Sequence, residues 1–297
     1  RPRKDFAALP RCGGMINETI EEIEDMQTSS SSVVTVKAAK ALTDLLDREF
    51  ATVEEFERDL ERNASALRRA NPSHASLQNA MLEIRDTVTA REYNDLDAAK
   101  AGTREAIESV VDAVEQAKHR AADNAAALFE DGDTVLTHDY STTVLEAIEQ
   151  AASDGAYLDV YVTEARPRYL GRKTARTLAS IDRVDVTLLT DSASGHYLSE
   201  CDRVVTGMTC IVDRTLYNRV GTFPIAAAAE QVGTPVTVVG SSTKIVEEGF
   251  IFENEYRPAS EVMREPADGF EIENPTYDAT PIGLIESVVT DEGEREF

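Results

Sequence analysis

Along roughly the first 130 positions, apolar residues return every three or four places on a charged background. That spacing predicts helices with one buried face. Ile16, Ile20, Ile23 and Met26 form one such set, and Val36, Ala39, Leu42 and Leu46 form another inside Val33–Arg48. Further amphipathic runs lie near 52–70, 75–90 and 96–130. Asn71-Pro72-Ser73 separates two of them, because proline removes a backbone donor and cannot continue a helix.

After Gly132 the period changes. Short β-rich runs at Thr134–Thr137, Leu158–Thr163, Val184–Thr190, Arg203–Thr206 and Pro235–Gly240 alternate with helical stretches near 141–153, 167–180 and 222–232. Strands alternating with helices of this length predict βαβ units and a parallel sheet. The expected architecture is therefore α/β, with a helical domain over 1–130 and a parallel-sheet domain over 131–297. Several strand runs end in polar clusters, Thr137-His138-Asp139, Thr163-Glu164 and Thr190-Asp191. In an open α/β sheet the carboxyl ends of strands are where ligands sit. The acidic stretch after Asp291 is expected to fray.

Composition adds a working environment. Of 297 residues 42% are hydrophobic, enough for a sizeable core, while 55 acidic against 30 basic residues give a net charge of -25. Lysine occurs only at 4, 37, 40, 100, 118, 173 and 244. Dispersed acidity with few lysines fits concentrated salt, where self-repulsion is screened and an acidic surface stays hydrated. Direct nucleic-acid binding is not expected, since phosphate contacts need clustered Lys and Arg. The three cysteines at 12, 201 and 210 form no CxxC pair, which argues against a disulfide framework or zinc site. No window resembles a membrane span or a signal peptide, so the expected setting is the cytoplasm.

Four segments carry candidate chemistry. In Asp131–Ser141, His138 and Asp139 would face a cleft beside a helix N-terminus suited to an anion. The plainer reading makes Ser141 or Thr143 a cap and His138 a packed residue. Around Thr163–Pro167, Glu164 and Arg166 would hold a ligand, or form an ion pair that fixes the turn. In Gly207–Ile211 and Asn218–Thr222, Asn218, Arg219 and Gly221 would cradle a phosphate, or form an ordinary glycine turn. Cys210 reads as a buried inert thiol. The fourth, Asn274–Pro281, reads as a rigid loop from which Asp278 would reach a ligand hydroxyl or tie down its own turn. No dinucleotide fingerprint, Walker loop or zinc helix is present, and no cofactor or metal is expected.

Taken together, Asp131–His138, Val162–Pro167, Asp191-Ser-Ala, Asn218–Thr222 and Asn274–Pro281, with Ser76–Ala80 and Lys37–Leu42, resemble the regulatory-subunit family of initiation factor 2B. That family includes ribose-1,5-bisphosphate and methylthioribose-1-phosphate isomerases. The resemblance implies a helical N-terminal domain, a Rossmann-like C-terminal domain and a homodimer, or a higher homo-oligomer, formed through the latter. It also implies a nucleotide or sugar-phosphate ligand and, as protein partner, the alpha subunit of initiation factor 2.

The departures from the family pattern fall on its chemistry. The isomerases' cysteine after Thr-His is Asp139, and the aspartate of their Gly-Ala-Asp is Thr209. Their Arg-Gly-Ala falls on Ser29-Ser30-Ser31, their Arg-Pro-Thr on Asn71-Pro72-Ser73, and the lysine of their Asn-Lys is Arg219. Threonine cannot serve as a base at ordinary pH. The expectation is therefore a non-catalytic ligand-sensing or regulatory relative, with no catalytic residues and with His138, Glu164, Arg166, Asn218, Arg219 and Asp278 lining its site. The rival expectation is an aldose–ketose isomerase with an altered site, using Asp139 as acid or base.

Overall fold

A computed structural model of the chain describes residues 14–24, 30–246, 250–266 and 268–296. Met26, Ser29 and Cys12 lie outside them. The described residues divide into two compact units, the first holding 14–24, 33–71 and 77–111 and the second 30–32, 72–76 and 112–296.

The helical pattern of the first half is realised as α1 (Gly14–Glu24), α2 (Ser31–Ala41), α3 (Val53–Ala70), α4 (Ala75–Thr89) and α5 (Leu96–Ala126). α5 stops four residues before the periodic run does. Thr52 caps α3 by accepting from the Glu55 amide at 3.2 Å, and Glu54 and Glu55 place negative charge on the first turn, where the helix dipole favours it. Within the first unit Leu42, Leu45, Phe56, Leu60, Leu67, Leu77, Met81 and Ile84 are fully buried, the apolar stripes that the spacing marked.

The second unit is built on a seven-stranded sheet. Its elements are β1 (Thr134–Thr137), α6 (Thr142–Ser153), β2 (Leu158–Thr163), α7 (Gly171–Leu178), β3 (Val184–Leu189), α8 (Ser194–Tyr197) and β4 (Arg203–Gly207). Next come β5 (Cys210–Val212), β6 (Thr215–Arg219), α9 (Thr222–Val232), β7 (Val236–Val239), β8 (Ile245–Val246), β9 (Tyr277–Pro281), β10 (Ser287–Thr290) and β11 (Gly293–Glu296). The large sheet runs β11-β10-β7-β4-β1-β2-β3, all parallel except β11. From β1 the chain winds outward through β2 to β3, then returns to lay β4 on the other side of β1. The order reverses between β1 and β4, which is where an open α/β sheet leaves a crevice at its carboxyl edge.

A smaller sheet, β8-β5-β6-β9, stands beside that edge. It was not foreseen. Asn218 and Arg219 end the strand β6 rather than sit in a turn, and Tyr277–Pro281, expected to be loop, is the strand β9 paired to β6. The tail expected to fray instead turns at Gly293 and pairs β11 antiparallel to β10. The helix expected over 167–180 is confined to Gly171–Leu178. Its start is fixed by close packing, because a Cβ on Gly171 would lie 1.7 Å from the Thr163 carbonyl oxygen. Among the described residues no helix is long and apolar enough to cross a membrane.

Candidate functional site

The ends of β1, β4 and β6 and the turn after β7 converge on one cleft in the second unit. The cleft is open to solvent and lined almost wholly by polar side chains. The β1 end supplies His138 and Asp139, and the β4 end supplies Gly207, Met208 and Thr209. β6 supplies Asn218 and Arg219, the first turn of α6 supplies Thr142 and Thr143, and Lys244 follows β7. Ser30, Ser31, Ser32 and His74, all of the same unit, complete the wall.

Asp139 leaves β1 in the left-handed region, at φ 65°, a conformation that aspartate tolerates better than most residues. Its carbonyl accepts from Thr174 Oγ1 on α7 at 2.6 Å, which fixes the backbone at this bend. The carboxylate then meets Arg219, Oδ2 to Nε 3.3 Å, with both side chains about nine-tenths buried. Arg219 also lies over the Tyr277 ring, 4.9 Å from its centroid, while its Nη1 is buried without a hydrogen-bond partner. A buried cation with spare donors facing a polar cleft is suited to holding an anion. The same pair borders a neighbouring hollow of about 310 Å³ lined by Arg166, Arg168, Arg257 and Glu261.

His138 is buried in a bridging position. Its Nε2–H donates to the Val220 carbonyl at 3.0 Å, so Nδ1 accepts from the Thr163 hydroxyl at 2.6 Å. Both ring nitrogens are used, and the ring is held between β1, β2 and the turn before α9. Gly221 permits this. At φ +111° it adopts a conformation costly for other residues, and a Cβ there would lie 2.6 Å from the His138 ring. Gly207 plays a similar part opposite Ser141, where an added Cβ would come within 2.6 Å of Oγ. Ser141 itself caps α6, accepting from the Val144 amide at 3.3 Å.

Lys244 was missed in the sequence. It is buried, and Nζ donates to the Met208 carbonyl at 3.0 Å. Burial lowers its pKa to about 8, offset only in part by the nearby Cys210. Among the described residues no carboxylate lies within ion-pair distance of it. Its turn is anchored by Asp291, which accepts from the Ser242 amide at 2.7 Å and hydroxyl at 3.2 Å. A lysine directly after a strand, in a chain with so few lysines, was the available signal. His74 is likewise buried, and burial, with Arg219 and Lys244 nearby, lowers its pKa to about 3. The Tyr277 hydroxyl lies 3.4 Å from His74 Nε2. Cys210 is buried, which pushes its thiol up to about 12, offset only in part by the nearby Lys244.

Of the predicted site residues, His138, Asn218 and Arg219 share the cleft with Asp139 and Thr209. Asn218 Nδ2 donates to Thr206 Oγ1 at 3.2 Å and Thr222 Oγ1 at 3.1 Å, tying β6 to β4 and α9. Arg166 lines the neighbouring hollow and donates through Nη2 to the Val262 carbonyl at 3.2 Å. Glu164 pairs with Arg172 at 2.8 Å, not with Arg166. The turn between them is held by Asp191, which accepts from the amides of Ala165 and Arg166 at 2.7 Å each. Asp278 accepts from the amides of Gly221 at 2.7 Å and Phe223 at 3.0 Å, closing the start of α9 rather than facing the cleft. Among the described residues no group of three or more His, Cys, Asp or Glu side chains is placed to hold a metal.

Comparison with known proteins gives three findings. The family model for the initiation factor 2 subunit family matches residues 27–296. The chain is 31% identical over 293 residues to a ribose 1,5-bisphosphate isomerase of Haloterrigena turkmenica, spanning 93% of this chain and 88% of that one. It is also 31% identical over 286 residues to a ribose 1,5-bisphosphate isomerase of Methanocaldococcus jannaschii, spanning 94% and 91%. Among solved structures, the Pyrococcus horikoshii OT3 translation initiation factor eIF-2B has the same fold, with a TM-score of 0.81 at 23% identity over 96% of this chain and 97% of that one. The relatives correct the expectation of a non-catalytic protein, since full-length similarity to isomerases favours the isomerase reading. That expectation rested on the motif positions alone. It left out Lys244, which faces the same cleft from the turn after β7.

Proposed function

The chain belongs to the initiation factor 2 subunit family, and on that footing we propose that it is an aldose–ketose isomerase acting on a pentose phosphate of the ribose 1,5-bisphosphate type. The observation that carries this reading is a polar cleft at the sheet's switch point with one carboxylate, Asp139, set against buried cations. Isomerisation moves a hydrogen from C2 to C1 of the sugar. The least demanding way is a single base that takes a proton from one carbon and returns it to the next. Asp139 is the only carboxylate lining the cleft among the described residues.

Arg219 and the first turn of α6 supply positive charge and N–H donors for a substrate phosphate. Thr142, Thr143 and Asn218 supply hydroxyl and amide groups for sugar hydroxyls. His138, with both nitrogens engaged, shapes the β1 end. The test is turnover of ribose 1,5-bisphosphate in molar salt, followed by Asp139→Asn. Failure of the unaltered protein to produce ribulose 1,5-bisphosphate rules the reading out.

Self-association belongs to the same proposal. The stretch 250–270 exposes Ile251, Tyr256, Met263 and Phe270, and exposed apolar side chains gathered in one stretch favour a protein contact. Light scattering that returns a monomer's mass at micromolar concentration would dispose of it.

A further inference from the structure

Resting on the isomerase reading, we infer that Lys244 is the second proton-transfer group of the reaction, taking the part that Thr209 cannot play. Asp139 handles the hydrogen on carbon, and Lys244 handles the protons on oxygen.

The chemistry requires such a group. In a sugar 1-phosphate the anomeric oxygen is esterified, so ring opening does not free an aldehyde. The C1–O4 bond breaks with its electron pair passing to the ring oxygen, and that oxygen takes a proton. C2 gives up its hydrogen as a proton to a base, and the C2–H electron pair becomes the C1=C2 bond of an enol phosphate. The C2 hydroxyl then loses its proton, its electron pair forms the C2=O bond, and C1 takes a proton. Nothing is oxidised or reduced by an outside agent. Asp139 takes the proton from C2 and returns it to C1. Lys244 gives a proton to O4 and recovers one from the C2 hydroxyl, so both side chains end as they began.

The placement suits this part. Lys244 reaches the cleft from the turn after β7, beside Met208 and Thr209 at the end of β4. Its ammonium donates to the Met208 carbonyl, and among the described residues no carboxylate neutralises it. The titratable groups around it are His74, held neutral, Cys210, held as the thiol, and, lining the same cleft, the Arg219 cation on β6 and Asp139 at the end of β1. An ammonium in such surroundings releases and regains a proton near neutral pH, where an exposed lysine would not. Asp291 acts as a positioning residue, holding the turn on which Lys244 is carried.

The experiment uses the full chain in molar salt with ribose 1,5-bisphosphate. No turnover by the unaltered protein ends the isomerase reading and this inference with it. Given turnover, Lys244→Arg separates the two, because arginine keeps the cation but does not release its proton. We expect kcat to fall by about a hundredfold to ten-thousandfold, with KM nearly unchanged. In the unaltered enzyme kcat falls as pH rises through about 8, where Lys244 loses the proton it must donate. In Lys244→Arg that alkaline limb disappears from the residual rate. Retention of kcat by Lys244→Arg would make Lys244 a simple anion contact and overturn the inference. If Lys244→Arg does not fold, the profile of the unaltered enzyme decides, and a flat kcat from about pH 7 to about pH 10 overturns it as well.

Discussion

Arg219 Nε sits 3.3 Å from Asp139 Oδ2, with the two side chains 9% and 11% exposed. The pair joins the end of β6 to the end of β1 across the point where strand order reverses. Its members differ in what their loss would do, because one is the candidate base and the other the candidate anion holder.

Asp139→Asn keeps the shape and removes the charge. Turnover of ribose 1,5-bisphosphate is expected to drop by about two to four orders of magnitude, the usual contribution of a positioned acid–base group. Both variants leave Arg219 buried without its counter-ion, at a cost of up to about 3–5 kcal/mol, and Asp139→Leu also removes the polar oxygen that asparagine keeps beside Arg219 Nε. Urea denaturation of the two variants separates the chemical loss from the structural one.

Gly221→Ala tests the bridge built on His138. The new methyl group would meet the imidazole ring at 2.6 Å from a backbone at φ +111°. Strain and overpacking together are expected to cost about 2 kcal/mol or more, read as a lower denaturation midpoint at an unchanged m-value. An unchanged midpoint would mean that the ring and the turn before α9 are not packed as described.

Asp278→Ala and Glu164→Ala are expected to leave kcat unchanged. Asp278 closes the start of α9 through two backbone donors, so its loss should cost about 0.5–2 kcal/mol, as for a helix cap. The Glu164–Arg172 pair, with Arg172 45% exposed, contributes about 0–1 kcal/mol. A hundredfold loss of kcat in either variant would return that residue to the ligand site.

Stability should also carry a signature of His74. Its pKa falls from 6.5 in the unfolded chain to about 3 when buried. Between those values the unfolded chain binds the extra proton, so stability rises with pH across that window and is lost as pH falls through it. The slope from this group alone approaches at most about 1.4 kcal/mol per pH unit. His74→Gln removes it, and the difference between the two pH–stability curves isolates it from the many carboxylates that titrate in the same range.

Of the large sheet, β1, β2, β3, β4 and β7 were legible because they are short, apolar and bounded by polar ends, whereas β10 and β11 were not expected. Leu158–Thr163 and the helix over 222–232 fall where the pattern places them. The small sheet was not legible. Cys210–Val212 is too short for a period to register. In Thr215–Arg219 and Tyr277–Pro281 the polar residues are buried by pairing rather than exposed by alternation. The site was half visible for the same reason. His138, Asn218 and Arg219 stood out as polar residues at segment ends, and Asp139 and Thr209 stood out as departures from the family pattern. His74 and Lys244 reach the cleft through the tertiary fold, and no local period marks them.

Four separate strand ends each contribute a little to one hollow, and no two neighbouring strands carry the whole of it. A reaction centre assembled this way can lose a side chain at one tip and recruit a replacement from another without moving the backbone. Thr209 and Lys244, on adjacent strand ends joined through the Met208 carbonyl, are where such a handover would leave its trace.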